Sequence, residues 1–231
     1  MSGVASTATD ASDFGLDADR VLPPEPLGRA LLRRLDGRYP MDAFGLDPQL
    51  SDLVAPILGV LVRVHVEGGE HVPAAGPAVL VSNRGFGILE PAAVARAVQH
   101  ATGRRLRVVG APNVPIAGEL TRRLGAISAS PEDVSACVRA GHLVAVPLAP
   151  TWLRTGAGMP PLSLMQALTK SPIVPAAVTP GGPFGLMLRP WCVRFGSLVT
   201  LPDPYDPDDP LTAARFAEAA HDAVQSLLTT P

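Results

Sequence analysis

The side chains best suited to acid–base or nucleophilic chemistry are scattered along this chain. The histidines occupy the polar side of a predicted strand, a turn, a helix end, the approach to a strand and the last predicted helix: His65, His71, His100, His142 and His221. Surface or capping roles are usual at such places. Cys137 and Cys192 are too few and too far apart for a zinc site or a disulfide framework. The sequence has no Gly-x-Ser-x-Gly elbow, phosphate-binding glycine loop or cluster of metal ligands, so it predicts neither a metal site nor a resident cofactor.

One short segment combines an amide, a guanidinium and a carboxylate. It is the glycine-containing loop from Asn83 to Glu90, which includes Arg84 and joins a predicted strand to a predicted helix. An arginine stays protonated, with a pKa above about 12, so Arg84 cannot act as a general base. A glutamate has a usual pKa of about 4.3 and is a poor base near neutral pH unless it is strongly desolvated.

The periodicity around this loop alternates between strand and helix, which predicts an α/β fold with a mixed, mainly parallel sheet covered by helices on both faces. The predicted strands are 62–66, 78–82, 106–109, 143–146, 173–178 and one or two edge strands within 186–195, broken by Pro190. The predicted helices are a first one from Pro24, then 48–61 with Asp47 as N-cap and a kink at Pro56, 91–100, 116–124, 131–141, 162–170 and 210–227.

The length of 231 residues and the composition predict one domain with an N-terminal extension. Residues 1–23 are expected to be a disordered tail or arm, 24–61 an N-terminal segment of amphipathic helices, and 62–231 the α/β domain. We expect no signal peptide, and the longest apolar stretch, 53–66, is too short to cross a bilayer. The net charge of −2 gives no basic field that would draw the chain to nucleic acid.

The stretch from Val64 to Asn83 resembles the opening of the lysophospholipid acyltransferase family, which reads V-x-G-x-E-x-(I/L/V)-P-x-x-G-P and ends in N-H. In this chain it reads Val-His-Val-Glu-Gly-Gly-Glu-His-Val-Pro-Ala-Ala-Gly-Pro-Ala-Val-Leu-Val-Ser-Asn. Four later stretches resemble the family's following blocks in the same order: Arg123–Ile127, Gly141–Val146, Ser171–Val178 and Val193–Val199. Together they span residues 62–228, and any one of them alone would be a weak signal.

The resemblance implies a glycerolipid acyltransferase-like fold for residues 62–231. It also implies acyl transfer from acyl-CoA or acyl carrier protein to a lysolipid hydroxyl. In the family a histidine is the general base, and an aspartate shortly after it orients the ring. Here Asn83 is retained, Arg84 fills the histidine position, and Glu90 is the nearest acidic residue, one place later than usual. We expect Arg84 and Glu90 to form an ion pair without proton transfer; the alternative is two solvated loop charges.

The family's third block, F-P-E-G-T, and a second-block arginine are thought to hold the acceptor phosphate. An ungapped alignment sets Pro147 to Thr151 against the third block, and a shift by one places Pro147 on the family proline; neither gives a glutamate. No arginine stands near Ser128–Ser130, the second-block position. Other arginines could meet a phosphate instead, although exposed helix-face charge is their usual role. The substrate-binding candidates are Asn83, Arg122, Arg123, Thr151 and Arg154.

Two functions therefore follow from the resemblance. One is a phospholipid or glycerolipid acyltransferase, and the alternative is a catalytically inactive homologue that binds lipid or regulates an active acyltransferase. The candidate partners are a lipid or acyl donor, a membrane surface and another protein. The leucine faces at 27–35 and 50–61 are expected to pack on the sheet, with the membrane interface as the alternative. The expected location is cytoplasmic, with the inner face of the membrane as a peripheral alternative.

Overall fold

The computed structural model describes most of the chain after the first forty residues. The described ranges are 41–83, 89–110, 115–148, 171–181, 190–199 and 209–229. The arm predicted for 1–23, the helix predicted from Pro24 and the helix predicted for 162–170 lie outside these ranges.

Seven strands of the described residues form a single mixed sheet in the order β1-β7-β6-β2-β5-β3-β4. The strands are β1 (Val64–Glu67), β2 (Ala78–Ser82), β3 (Leu106–Val109), β4 (Ala126–Ile127), β5 (Leu143–Pro147), β6 (Ile173–Thr179) and β7 (Trp191–Phe195). The five strands from β6 to β4 are parallel. Because β7 pairs antiparallel with β6 and parallel with β1, these two strands run the opposite way. The predicted mixed, mainly parallel sheet is confirmed.

The helices of the described ranges follow the predicted periodicity closely. They are α1 (Pro48–Leu61), α2 (Leu89–Thr102), α3 (Pro115–Arg123), α4 (Pro131–Arg139) and α5 (Pro210–Thr229). Asp47 caps α1 by accepting a hydrogen bond from the Leu50 amide at 2.8 Å. Ser130 caps α4 in the same way, through the Asp133 amide at 3.1 Å. Pro56 lies inside α1 without ending it, and α2 begins two residues before the predicted Pro91.

Helices cover both faces of the sheet, because its central strands carry apolar side chains on both faces. In β2, all five residues are buried. Val79 and Val81 belong to one core with side chains of α4 and α5, and Ala78 and Leu80 to a second core with side chains of α2. A continuous apolar run of this kind is typical of a strand buried on both faces.

The prediction that the stretch before Phe195 forms edge strands is wrong for β7. This strand lies between β6 and β1 and pairs with both. Pro190 directly precedes it and so removes no ladder hydrogen bond from its interior. The edge position belongs to β1, a place that local sequence patterns cannot assign because it depends on pairing with residues far along the chain.

Helix α1 is only partly covered. None of its residues is buried, and Ile57 and Val60 near its end are 60% and 73% exposed. Within the described residues, no helix is both long enough and apolar enough to span a bilayer.

Candidate active site

The topology of the sheet marks one edge as the place for a ligand. The chain leaves β6 toward β7 on one side and leaves β2 through α2 toward β3 on the other. In open α/β sheets, ligands bind outside the carboxyl ends of the strands at such a topological switch point. The carboxyl ends of β2 and its neighbours β5 and β6 are therefore the candidate site, and Asn83 follows β2 at that edge.

The Asn83 side chain bridges β2 and β6 at this edge of the sheet. Its Oδ1 accepts a hydrogen bond from the Val178 amide at 2.6 Å, and its Nδ2 donates to the Val178 carbonyl oxygen at 2.9 Å. Asn83 is half-buried, and Val178 is 2% exposed. The side chain of Asn83 thus contacts the main chain of β6 with both of its polar atoms.

Glu90 lies close to the same edge, in the first turn of α2. Its side chain is 4% exposed. Because α2 begins only a few residues beyond the end of β2, Glu90 lies close to that end of the strand. The amino terminus of a helix stabilises negative charge, because the first peptide N–H groups point toward it. The structure therefore places a buried carboxylate, in a stabilising helical position, near the carboxyl end of β2.

The residue that follows β5, Leu148, is apolar, and it lies where the third block of the acyltransferase family would be expected. Leu148 continues the β5 strand by donating its amide hydrogen bond to the Ser82 carbonyl oxygen at 2.8 Å. Its side chain is 2% exposed within the core that α4 and α5 cover. In the alignment that sets Pro147 on the family proline, Leu148 occupies the glutamate position, and a glutamate there would be buried among hydrocarbon side chains.

The end of β4, where the second block would stand, is occupied by helix-capping groups. The hydroxyl of Ser128 donates to Asp133 Oδ2 at 2.6 Å, while Ser130 caps α4. These contacts satisfy the first turn of the helix.

The structure places Arg122 and Arg123 away from Asn83. Both lie in the last turn of α3, which enters β4 from the amino-terminal edge of the sheet, three strands from β2. Glu119 Oε1 accepts a hydrogen bond from Arg123 Nε at 2.9 Å, and Arg122 Nε lies 3.9 Å from Glu119 Oε2. Their roles in substrate binding stay predictions.

Arg84, Thr151 and Arg154 lie outside the described residues. The expected ion pair between Arg84 and Glu90 therefore also stays a prediction.

A second polar cluster stands on the exposed face of β1 and β7, and the sequence analysis did not find it. Glu67 accepts a hydrogen bond from Arg194 Nε at 2.6 Å and one from the Cys192 thiol at 3.7 Å, and His65 Nε2 lies 3.5 Å from its Oε1. The hydrogen bond from Arg194 holds the pKa of the Glu67 carboxyl below its usual value. Loss of water, followed by the negative charge of Glu67, raises the pKa of the Cys192 thiol.

This second cluster offers no activated nucleophile. A thiol with a raised pKa is held protonated, and the thiolate is the reactive form. From the sequence, the alternation of residues in β1 indicates only that His65 and Glu67 share a face of their strand. The pairing of β1 with β7, which the sequence does not reveal, places Cys192 and Arg194 opposite them. Across the described ranges, no three His, Cys, Asp or Glu side chains are arranged to hold a metal ion.

Comparison with known proteins gives relatives without an assigned activity. No family model matches the chain. An uncharacterized protein of Mycobacterium tuberculosis and one of Mycobacterium bovis are each 28% identical, over 97% of this chain and 78% of the relative. An uncharacterized protein of Mycobacterium leprae is 34% identical over 128 residues, which are 50% of this chain and 35% of that protein.

One solved structure is also similar, the crystal structure of the 1-acyl-sn-glycerophosphate acyltransferase PlsC from Thermotoga maritima. It matches with a TM-score of 0.49 and 15% identity, over 78% of each chain.

Proposed function

We propose that this chain is an acyltransferase-like protein of glycerolipid metabolism that transfers an acyl group from acyl-CoA or acyl carrier protein to a lysolipid hydroxyl. The observation that carries the proposal is the burial of Glu90, which is 4% exposed in the first turn of α2, the helix that follows β2. A glutamate is a useful base only when water is largely removed from it, because desolvation makes a carboxylate hold a proton more tightly. The burial of Glu90 supports this role, because it limits the access of water to the carboxylate.

In this mechanism, which departs from the expected ion pair without proton transfer, the Glu90 carboxylate takes the place of the family histidine. The acceptor hydroxyl oxygen attacks the thioester carbonyl carbon, and its proton passes to Glu90. The carbon–sulfur bond then breaks, and the proton moves from Glu90 to the departing thiolate. The guanidinium of Arg84 would stabilise the negative charge that develops on the carbonyl oxygen, since a fixed cation favours such a transition state.

Acyl transfer by the purified chain, measured with a panel of acyl-CoA donors and lysolipid acceptors, tests this proposal. Glu90→Gln keeps the shape of the side chain and removes its basicity, so the rate should fall by about 10²- to 10⁴-fold. Glu119→Gln is the matched control, because this half-exposed carboxylate lies on α3 at the opposite edge of the sheet. Activity that survives both Arg84→Ala and Glu90→Ala unchanged would place the reaction elsewhere on the molecule.

A second candidate function is a non-catalytic homologue that binds lipid or regulates an active acyltransferase. The burial of Leu148 in the core favours it, because this side chain fills one of the two alignable positions of the third-block glutamate with hydrocarbon. If the wild-type chain is inactive while the double variant Arg84→His/Glu90→Asp transfers acyl groups, the pocket is intact and only the chemistry was lost. Co-purification with an active acyltransferase would support the regulatory role.

The proposed substrates are lipids, and α1 offers the apolar surface through which a membrane would be reached. Ile57 and Val60 are largely exposed and lie one helical turn apart near the end of α1. The chain passes from there into β1, whose first residue lies at the edge where β2 ends, since β1 runs opposite to β2. These exposed side chains therefore lie toward the edge of the candidate site.

Flotation with vesicles of anionic phospholipid at low salt tests this membrane contact. The wild-type chain should float with the vesicles, and the Ile57→Asp/Val60→Asp variant should stay in solution, because a charge placed in the interface opposes insertion. Leu211→Asp is the matched control, as Leu211 is 67% exposed on α5. A wild-type chain that remains in solution at low ionic strength rules the contact out.

A further inference from the structure

We propose that Asn83 is a positioning residue of the acyl-transfer site, and that it acts on the ligand only through the main chain that it holds. This inference rests on the proposed function for its chemistry, but not for its geometry. The expectation from the sequence that Asn83 itself binds substrate is the alternative, and the kinetic measurement below distinguishes the two roles.

The two hydrogen bonds of Asn83 have the pattern of one further rung of the sheet. Strand β2 ends at Ser82, which pairs with Ala176, whereas β6 continues to Thr179. The Asn83 side chain reaches this overhang, giving Val178 an acceptor at 2.6 Å and a donor at 2.9 Å. A buried main-chain amide or carbonyl left without a partner would cost about 1–3 kcal/mol.

The side chain of asparagine is suited to this position. Its amide presents one acceptor and one donor side by side in a plane, as a peptide group does. Aspartate would present two acceptors and would repel the Val178 carbonyl oxygen. Glutamine has the same amide but one more methylene group, so it would have to bend away from the strand to reach Val178.

The position of Asn83 in the chain gives the contact its consequence. Asn83 directly follows β2, and α2 begins soon afterwards at Leu89 with the buried Glu90 in its first turn. By joining the end of β2 to β6, the Asn83–Val178 contact fixes the point from which the chain leaves the sheet toward α2. Both polar atoms of the side chain contact the scaffold, which favours a positioning role over a direct contact with substrate.

Hydrogen exchange of backbone amides in the full-length chain tests the proposal without requiring activity. In Asn83→Ala, exchange at the Val178 amide should accelerate by about fivefold, which corresponds to the loss of a hydrogen bond of about 1 kcal/mol. Asn83→Asp keeps an acceptor for the Val178 amide but loses the donor to the Val178 carbonyl oxygen, so this amide should accelerate less than in Asn83→Ala. This variant also serves if Asn83→Ala does not fold. In both variants the amides of Ala93 and Val94 should exchange faster, because they donate to carbonyl oxygens of the first turn of α2, whose placement is weakened.

Thr179→Ala is the matched control, since Thr179 is an exposed neighbour at the same edge. It should leave the amides of Val178, Ala93 and Val94 unchanged. If Asn83→Ala leaves the Val178 amide unchanged, or if neither Asn83 variant alters the amides of Ala93 and Val94, the proposal is overturned whether or not the protein transfers acyl groups.

The kinetics of acyl transfer separate positioning from ligand contact. A positioning role predicts that both Asn83 variants lower kcat by about tenfold or more while KM for palmitoyl-CoA and for the lysolipid is unchanged. A rise in either KM with unchanged kcat would mean that Asn83 contacts that substrate, contrary to the proposal. An inactive wild-type chain would count against acyl transfer alone, and the exchange measurements would still decide the role of Asn83.

Discussion

The carboxylate of Asp42 forms an ion pair with the guanidinium of Arg107, a side chain of β3 that is wholly buried. The other oxygen of Asp42 accepts hydrogen bonds from the amides of Phe44 at 2.9 Å and Leu46 at 2.8 Å. One side chain thus organises the turn before α1 and neutralises a charge inside the domain. Among the described residues, Nε and Nη1 of Arg107 have no hydrogen-bond partner, so its charge depends on Asp42.

We predict that Asp42→Ala lowers the free energy of unfolding by about 3–5 kcal/mol, because it leaves a buried guanidinium without its counter-charge. Urea unfolding followed by circular dichroism would measure the loss. Glu119→Ala, which removes the half-exposed partner of Arg123, should cost less than about 1 kcal/mol. The double variant Asp42→Ala/Arg107→Met should be more stable than Asp42→Ala alone, and a single-variant loss as small as that of Glu119→Ala would contradict the prediction.

A glycine in the turn after β1 is required by space as well as by backbone conformation. Gly68 has φ of +68°, and a Cβ atom built on it would collide with the Phe195 carbonyl oxygen. Gly76 has a similar φ of +78° with open space around it. Gly76→Ala should therefore cost about 1–2 kcal/mol, the strain of a left-handed alanine, and Gly68→Ala should cost clearly more. Thermal unfolding compares the two variants, and equal losses would show that the collision is relieved by a small shift of the backbone.

The ion pair of Glu67 and Arg194 should make stability depend on pH. The pKa of Glu67 is lowered in the folded state, mainly by the hydrogen bond from Arg194, so the folded chain binds a proton less readily than the unfolded chain. The resulting stabilisation is complete above the ordinary value of 4.5 and is lost as the pH falls through the folded pKa. The stability difference between the wild-type chain and Glu67→Gln, measured by urea unfolding, should shrink between about pH 7 and about pH 3.

Glu218→Gln removes an exposed carboxylate of α5 and serves as the control. Its stability difference from the wild-type chain should show no comparable loss over the same range. A difference for Glu67→Gln that stays constant down to the lowest pH would mean that the carboxylate is not stabilised by Arg194.

The thiol of Cys192 should react slowly although it is only partly buried. Its pKa is raised by loss of water and then by the Glu67 carboxylate, which also accepts its hydrogen bond. Alkylation by iodoacetamide at about pH 8 should therefore be slower than for an ordinary exposed thiol, since only the thiolate reacts. Glu67→Gln removes the negative charge and should accelerate the reaction.

Mass spectrometry of the labelled peptides would follow both thiols in the same experiment. Cys137 is wholly buried and should stay unlabelled in the folded chain, whereas both cysteines should react once the chain is unfolded in urea. An alkylation rate at Cys192 that is the same in the wild-type chain and in Glu67→Gln would show that the carboxylate has no influence on the thiol.

The elements of this fold could be predicted from the sequence because their signals are local. Alternation of apolar residues marked β1, and the Asp47–Pro48 and Ser130–Pro131 pairs marked the starts of α1 and α4. The two-residue strand β4 was missed, since Ala126 and Ile127 are too short a run to show a period. The inner position of β7 was missed because it depends on β1, far away in the sequence.

The partners within the sites were harder to predict than the elements. Asn83 was recognised at the end of β2, but its partner Val178 lies 95 residues later, and no local pattern links them. Arg107 gave no signal either, because its counter-ion Asp42 precedes it by 65 residues. The burial of Glu90 could not be read from the sequence, since it depends on how the start of α2 packs against the sheet.

The pairing of the first described strand with the last has a consequence for the order in which this protein is completed. Strand β1 leaves the ribosome well before its partner β7, since 127 residues separate Glu67 from Arg194. During synthesis β1 has no strand to join until β7 has been made. Contacts of such long sequence separation form slowly, and an unpaired strand edge is prone to aggregate while it waits. The alternating polar residues His65 and Glu67 give the waiting strand a charged face, which protects it from pairing with other chains.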